Sequence, residues 1–595
     1  MPSQSSRALL SRATLMVAAA LLGVTSAQAA TYQWTGNSGV NQNYDNGANW
    51  VEASWAEWGD YVFNSNVVNG TVNINLFCGT DTLSLQSGLT TNITINGPVP
   101  LVFAGNWGHF GTITIAADSR DLTINTNINS SGEMTWNVGA GRKLTFSQGL
   151  SDWGTAPATL VKSGAGTAML TGSSSYSGVT ILAGGVVNAA TFANNGTASS
   201  LGVGTGDTAG DNIGLLFRGG VLQYTGSTAQ STDRAIRLST TGGGGTIDAS
   251  GSIPSATLSF TRASMPNWWE EGGVRTLTLT GLNTGENTLS AGIADTAGTK
   301  INLTKSGVGT WVLAGAGNYV GVTNINAGTL IAASSGALGT GGLDGATMTW
   351  ISNGATLALR GDISMNEHLH VLGTGVGGLG AIRNLAGANA LTMTIGLDGD
   401  TTIGVNAGTL TLTNALYGDG ALNASNLTKV GNGVLVLSGT NLYSGVTVFA
   451  GGVVQATTLA DNGTASSLGV GTGDPGGDSI GLLFRGGALR YAGSTAQTTD
   501  RAIRLSTSGG GGTIDASGSV SSATLTFTRA SMPNWWEAPG VRTLTLTGIN
   551  TGENTLAAGI NDLPGATTIN VSKEGTGTWV LAGAGNYLGI TNINA

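Results

Sequence analysis

The sequence predicts an all-β fold, an elongated parallel β-solenoid of short stacked coils, and three observations carry that expectation. One stretch recurs: residues 303–330 (LTKSGVGTWVLAGAGNYVGVTNINAGTL) reappear in variant form from Leu160, from Leu427 and from Val571. Such self-similarity dictates architecture more firmly than any local motif. Composition points the same way. Glycine is 99 of 595 residues and charged residues are 9%, against roughly 25% in ordinary globular chains, while a hydrophobic fraction of 40% is too high for a disordered chain. Finally, the segments between turn residues are short and alternate apolar with polar side chains, the period-2 signature of a half-buried strand.

Each copy reads apolar-x-Lys, a Gly-x-Gly turn, a short strand, a turn holding a Tyr, and a second short strand. In that second strand Thr180/Leu182, Thr323/Ile325, Thr447/Phe449 and Thr591/Ile593 fall on one face, and their size makes it the buried one. Strands this short cannot bury that face alone; coils piled on one another can. The motif resembles the autotransporter-associated β-strand repeat of bacterial passenger domains. The resemblance is carried by Lys305, Ser306, Gly307, Gly309, Thr310, Trp311 and Leu313, then by Tyr319, Gly321, Thr323, Ile325, Ala327, Gly328, Thr329 and Leu330. It implies a right-handed parallel β-helix exported to the cell surface.

In chain order, residues 1–29 read as a signal peptide: Arg7 and Arg12, an apolar run over 15–24, and Ala27-Gln28-Ala29 before the cleavage point. No later run of about 18 apolar residues follows, so the mature chain is expected to be exported without a helical anchor. Residues 30–155 form an N-terminal β region opening on Tyr32, Trp34, Trp50, Trp55 and Trp58. An open sheet edge recruits other chains unless covered, so this Trp-rich start is expected to cap the first coil. The competing reading is an aromatic platform for carbohydrate.

Residues 156–426 make a first solenoid unit and residues 427–595 a second, truncated one. Lys162 and Lys429, Arg218 and Arg485, Trp268 and Trp535 each lie 267 apart, and residues 214–293 and 481–560 differ at twelve positions. That closeness reflects recent copying, so identity between the copies says nothing about functional constraint. The second unit stops at Ala595, where the first continues through Gly328-Thr329-Leu330. The natural protein is therefore expected to run on. Under the resemblance an outer-membrane β-barrel would follow, whereas other exported repeat proteins end in a sorting tail; both stay open. With strands about 4.8 Å apart the coils would build a rod on the order of 100 Å long.

Net charge is −9, or −11 once Arg7 and Arg12 leave with the leader. No Lys/Arg run occurs, which argues against nucleic acid as a partner. Cys78 stands alone, so no intrachain disulfide forms. Because β-helices include polysaccharide lyases and hydrolases, clustered carboxylates and histidines would point to an enzyme. The histidines are His109, His368 and His370. His368-x-His370, beside Glu367, could present two imidazoles on one strand face, but a metal needs a third ligand, and a partly exposed strand is the plainer expectation. Asp207, Asp211, Asp474 and Asp478 lie in Gly-rich loops that depart from the calcium-binding nonapeptide pattern; turn capping is expected of them. Gly-x-Gly strings carry no phosphate signal without a following helix.

The most unusual local feature is Arg262–Glu270 (RASMPNWWE), repeated at 529–537. Two adjacent Trp after a proline cannot both point inward on a strand. Trp268, Trp269, Trp535 and Trp536 are thus the ligand-binding candidates, placed to stack on sugar rings or anchor a partner protein; a loop packed on its own coil is the alternative. No catalytic set, cofactor or metal site is expected. The resulting expectation is an exported, surface-presented β-solenoid with a structural or adhesive role toward glycans or matrix proteins, tied to the outer membrane through a C-terminal region outside this sequence. The alternatives are a β-helical carbohydrate-active enzyme and a non-catalytic glycan binder.

Overall fold

The chain was analysed as a computed structural model. It describes residues 30–594 apart from 39–40, 52–57, 104–110, 206–212, 266–270, 296–297, 343–346, 419–424, 472–479, 532–538 and 563–566. The signal peptide, Trp55, His109 and Asp207, Asp211, Asp474 and Asp478 therefore lie outside the described residues.

Every strand ladder among the described residues is parallel, and most strands pair with one a coil earlier and one a coil later. The described residues contain no α-helix, only three single-turn 3-10 segments. The molecule is an elongated parallel β-helix.

The repeat shows how it is built. Thr299–Lys305 pairs with Thr323–Ile325, setting Leu303 beside Thr323 and Lys305 beside Ile325. Thr310–Leu313 pairs in the same way with Thr329–Ala332. Leu160 with Thr180, Leu427 with Thr447 and Val571 with Thr591 reproduce the register. The two halves of each repeat thus lie one above the other in successive coils. Period-2 alternation then sends Leu303 and Ile325 inward and Thr304 and Asn324 outward. Inward columns run unbroken from coil to coil; Ile325, Ile351, Val371 and Leu397 are consecutive rungs of one of them. A single apolar core extends from Trp34 to Val571. The fourth copy departs from expectation: Thr591–Ile593 is exposed throughout.

The lysine of the repeat has an unanticipated place. Lys305 is fully buried and points to no carboxylate. Its Nζ donates to the carbonyls of Ser306 (2.7 Å), Gly307 (2.8 Å) and Ala327 (2.9 Å). Lys162 and Lys429 repeat the arrangement. A left-handed glycine turn directs carbonyls inward, where each needs a donor. A Cβ on Gly328 (φ +66°) would sit 2.4 Å from the Gly309 carbonyl, so coil spacing there admits only glycine. Burial lowers all three ammonium pKa values to about 8. Arg234 and Arg501 play the same part for the longer loops: Arg501 donates to the carbonyls of Ala460 (3.1 Å), Thr464 (3.1 Å), Leu468 (2.7 Å) and Gly469 (2.6 Å). The few charges this chain carries are spent partly on satisfying its own backbone.

At the N-terminal end, Thr31–Gln33 pairs with Trp58–Phe63. Trp34, Tyr44, Trp50 and Tyr61 are all buried beneath that first coil, in edge-to-face contacts 5.1–5.4 Å apart. Both indoles donate to carbonyls, Trp34 to Asn69 and Trp50 to Tyr44, each at 2.9 Å. Trp34 and Trp50 are therefore core residues and offer no platform to a carbohydrate. Cys78 is buried against Tyr44 and Tyr61, and desolvation pushes its thiol up to about 12. Farther along, Glu133–Val138 pairs with Thr159–Ser163, and Ile395–Val405 with Leu427–Val430.

Candidate functional site

Trp268, Trp269, Trp535 and Trp536 lie outside the described residues. Their flanks are ordered onto the solenoid: Arg262 Nε donates to the Ser264 carbonyl at 3.0 Å and Met265 packs against the core. Arg529 makes the matching bond to Ser531 at 3.1 Å.

A dense group of chemically capable side chains lies instead within the first unit, on one outward column. Strand register stacks Thr278, Thr304, Asn324, Trp350, His370, Gly396 and Tyr417 as consecutive rungs. Small polar rungs give way at Trp350, whose exposed ring lies on the His370 imidazole with centroids 4.4 Å apart and planes 24° apart. The next rung is glycine for a steric reason. A Cβ on Gly396 would lie 2.9 Å from the His370 ring and 3.0 Å from the Tyr417 hydroxyl. That gap lets Tyr417 reach across a whole coil to His370.

The hydrogen bonds form one chain. Asp398 Oδ1 accepts from His370 Nδ1 at 2.7 Å. His370 Nε2 faces the Tyr417 hydroxyl at 3.1 Å, and the same hydroxyl is 2.9 Å from His368 Nε2. His368 Nδ1 in turn meets the Thr394 hydroxyl at 2.9 Å. The carboxylate fixes the His370 tautomer, leaving its Nε2 as an acceptor. His368 is buried just before the strand, whereas His370 is part-exposed within it, as expected of a partly exposed strand. Burial first, then the neighbouring His370, holds the His368 pKa below its ordinary value. Glu367 is buried, accepts from the Thr349 hydroxyl at 2.7 Å and the Gly341 amide at 3.0 Å, and is raised to about 7 by desolvation.

Sequence reasoning singled out His368, His370 and Glu367 and missed Trp350, Asp398 and Tyr417. The missing signal is coil length: successive rungs are 20, 26 and 21 residues apart (350 to 370, 370 to 396, 396 to 417). Uneven spacing hides such neighbours from a linear scan.

Fold and repeat define a class: a parallel β-helix built on a passenger-type repeat. The Passenger-associated-transport-repeat family matches residues 160–189, 303–332, 427–456 and 571–595. The chain is 33% identical over 453 residues to the Adhesin BmaC autotransporter of Brucella suis biovar 1 (strain 1330), a span covering 70% of this chain and 12% of that relative. No solved structure matches. The chain resembles a bacterial autotransporter passenger domain with such repeats, and it spans about an eighth of the length of the curated relative it matches.

Proposed function

We propose that the chain is the exported passenger region of an autotransporter, a β-solenoid that holds a repetitive surface away from the cell for adhesion. The observation that carries this reading is the extended similarity to a protein named as an adhesin, with transport repeats at four places. In this reading residues 1–29 direct export, residues 30–155 are an N-terminal β region whose Trp-rich start caps the rod, residues 156–426 and 427–595 are its two units, and an outer-membrane region elsewhere in the full protein anchors it. A parallel solenoid suits the task because each coil is stabilised by its neighbours alone, so length can grow by duplication. Trp268, Trp269, Trp535 and Trp536 are the proposed contacts with surface glycans or matrix proteins.

Beads coated with the purified chain test the proposal on immobilised matrix proteins and on a glycan array. Retention above bare beads is expected, reduced by the paired Trp268→Ala and Trp535→Ala substitutions. Retention equal to bare beads on every surface would reject an adhesive role, and sugar release from a polysaccharide would replace it with carbohydrate cleavage.

A further inference from the structure

We infer that His368, His370 and Tyr417 form a binding site for a borderline divalent transition cation, of the Zn2+ or Cu2+ kind, on the outer face of the solenoid within its first unit. Three features of the cluster converge on this reading. The first is aim. Two imidazole Nε2 atoms from different positions of one segment point at a single phenol oxygen that arrives two coils later, at 2.9 and 3.1 Å. A cation with bonds of about 2.0–2.1 Å to imidazole nitrogen and similar bonds to oxygen spans nitrogen–oxygen edges of about 3 Å. The two nitrogen–oxygen edges already stand at the spacing a coordination shell needs.

The second feature is orientation. Metal-binding histidines direct their other ring nitrogen at a carboxylate, carbonyl or other oxygen, which fixes the ring. Here Asp398 holds His370 Nδ1 at 2.7 Å and Thr394 holds His368 Nδ1 at 2.9 Å. Both Nε2 atoms are thereby turned to the same point. The third feature is access. His370 and Tyr417 are part-exposed, so an aqueous cation reaches the oxygen directly, and solvent fills the remaining coordination positions.

Among the described residues no three His, Cys, Asp or Glu side chains converge on a metal position, so the third donor is the phenol. Binding releases one proton: the Tyr417 O–H gives its hydrogen to solvent and the phenolate oxygen takes the cation, both imidazoles staying neutral. Imidazole with phenolate suits zinc and copper, whereas calcium and magnesium prefer carboxylate and carbonyl oxygen.

The test is titration of the metal-stripped chain with Zn2+ by calorimetry and with Cu2+ by visible absorption. One cation per chain is expected, with a phenolate-to-copper charge-transfer band. His368→Ala and His370→Ala should each weaken binding by tenfold or more. Asp398→Asn should weaken it about tenfold through loss of orientation while keeping the band, and Tyr417→Phe should remove the band. Absence of binding to the parent chain, or unchanged binding in the His368→Ala/His370→Ala double variant, would overturn the proposal. Should a histidine variant lose the parent's far-UV spectrum, Tyr417→Phe, which deletes one hydroxyl, decides: a band that persists there overturns the phenolate site.

Discussion

Residues 303–327 and 571–595 are the same coil met twice, with six differences in twenty-five positions. Their internal geometry is the same. Tyr319 bonds Thr323 at 2.6 Å and Tyr587 bonds Thr591 at 2.7 Å. The Trp311 and Trp579 indoles each donate at 2.9 Å to a threonine carbonyl of an earlier coil, Thr280 and Thr547. Burial is not the same. Ile325 is 0% exposed and Ile593 76%. The coil beneath sets the conformation, through its ladder and turns; the coil above supplies most of the desolvation. Cohesion in this solenoid is therefore a property of adjacent pairs and is carried by no coil alone.

The largest expected effect tests that division directly. Ile325→Ala removes buried methylenes from a closed stack and should lower local stability by about 2–4 kcal/mol. Ile593→Ala, at an already wet position, should change it by less than about 0.5 kcal/mol. Native-state hydrogen exchange at the flanking strands is the suitable measurement, because long repeat arrays need not unfold as one unit. Equal costs at the two positions would show that burial by the following coil is not what stabilises the repeat. Grafting a copy of residues 328–359 after Ala595 should bring the Ile593→Ala cost up toward that of Ile325→Ala.

The same contrast explains what could be read from the residues alone. Period-2 alternation and the fourfold repeat made the strands, their inward faces and the stacking legible, since those depend on local sequence and on short-range recurrence. Thr591 and Ile593 match Thr323 and Ile325 in sequence and differ in exposure, which neighbouring coils decide. Lys305 reads as a polar break in the pattern; that it caps three carbonyls follows from where two glycine turns place their oxygens in space. Tyr417 and Asp398 are invisible for a related reason. They join His370 only because coils of unequal length happen to bring them onto neighbouring rungs.

A smaller difference is expected at the lysines. Lys305→Met keeps the aliphatic stem but leaves the Ser306, Gly307 and Ala327 carbonyls without their donor in a dry interior, at a cost of about 3 kcal/mol. In the last coil Lys573 donates to Glu574 (3.0 Å) and Gly575 (2.6 Å), and its surroundings are more open to water. Lys573→Met should cost less than about 1 kcal/mol. Exchange rates of the amides in Thr310–Leu313 and Thr578–Leu581 report the two separately.

The most delicate prediction concerns pH. Burial puts the Lys305 ammonium at about 8 in the folded coil, whereas an unfolded lysine holds its proton to about 10.4. Between those values the unfolded chain binds the extra proton, so stability of this coil rises with pH; below about 8 both states are protonated and the dependence disappears. The slope is about 1.4 kcal/mol per pH unit for a single lysine. Exchange protection of Thr323–Ile325, corrected for the intrinsic base-catalysed rate, should therefore grow from pH 8 to 10. In Lys305→Met the growth should vanish at this coil while persisting around Lys162 and Lys429, whose ammonium groups are lowered to the same value. A flat profile in the parent chain would mean that the three carbonyls hold the charged form as well as water does, and that the ammonium, once seated, is no burden to the fold.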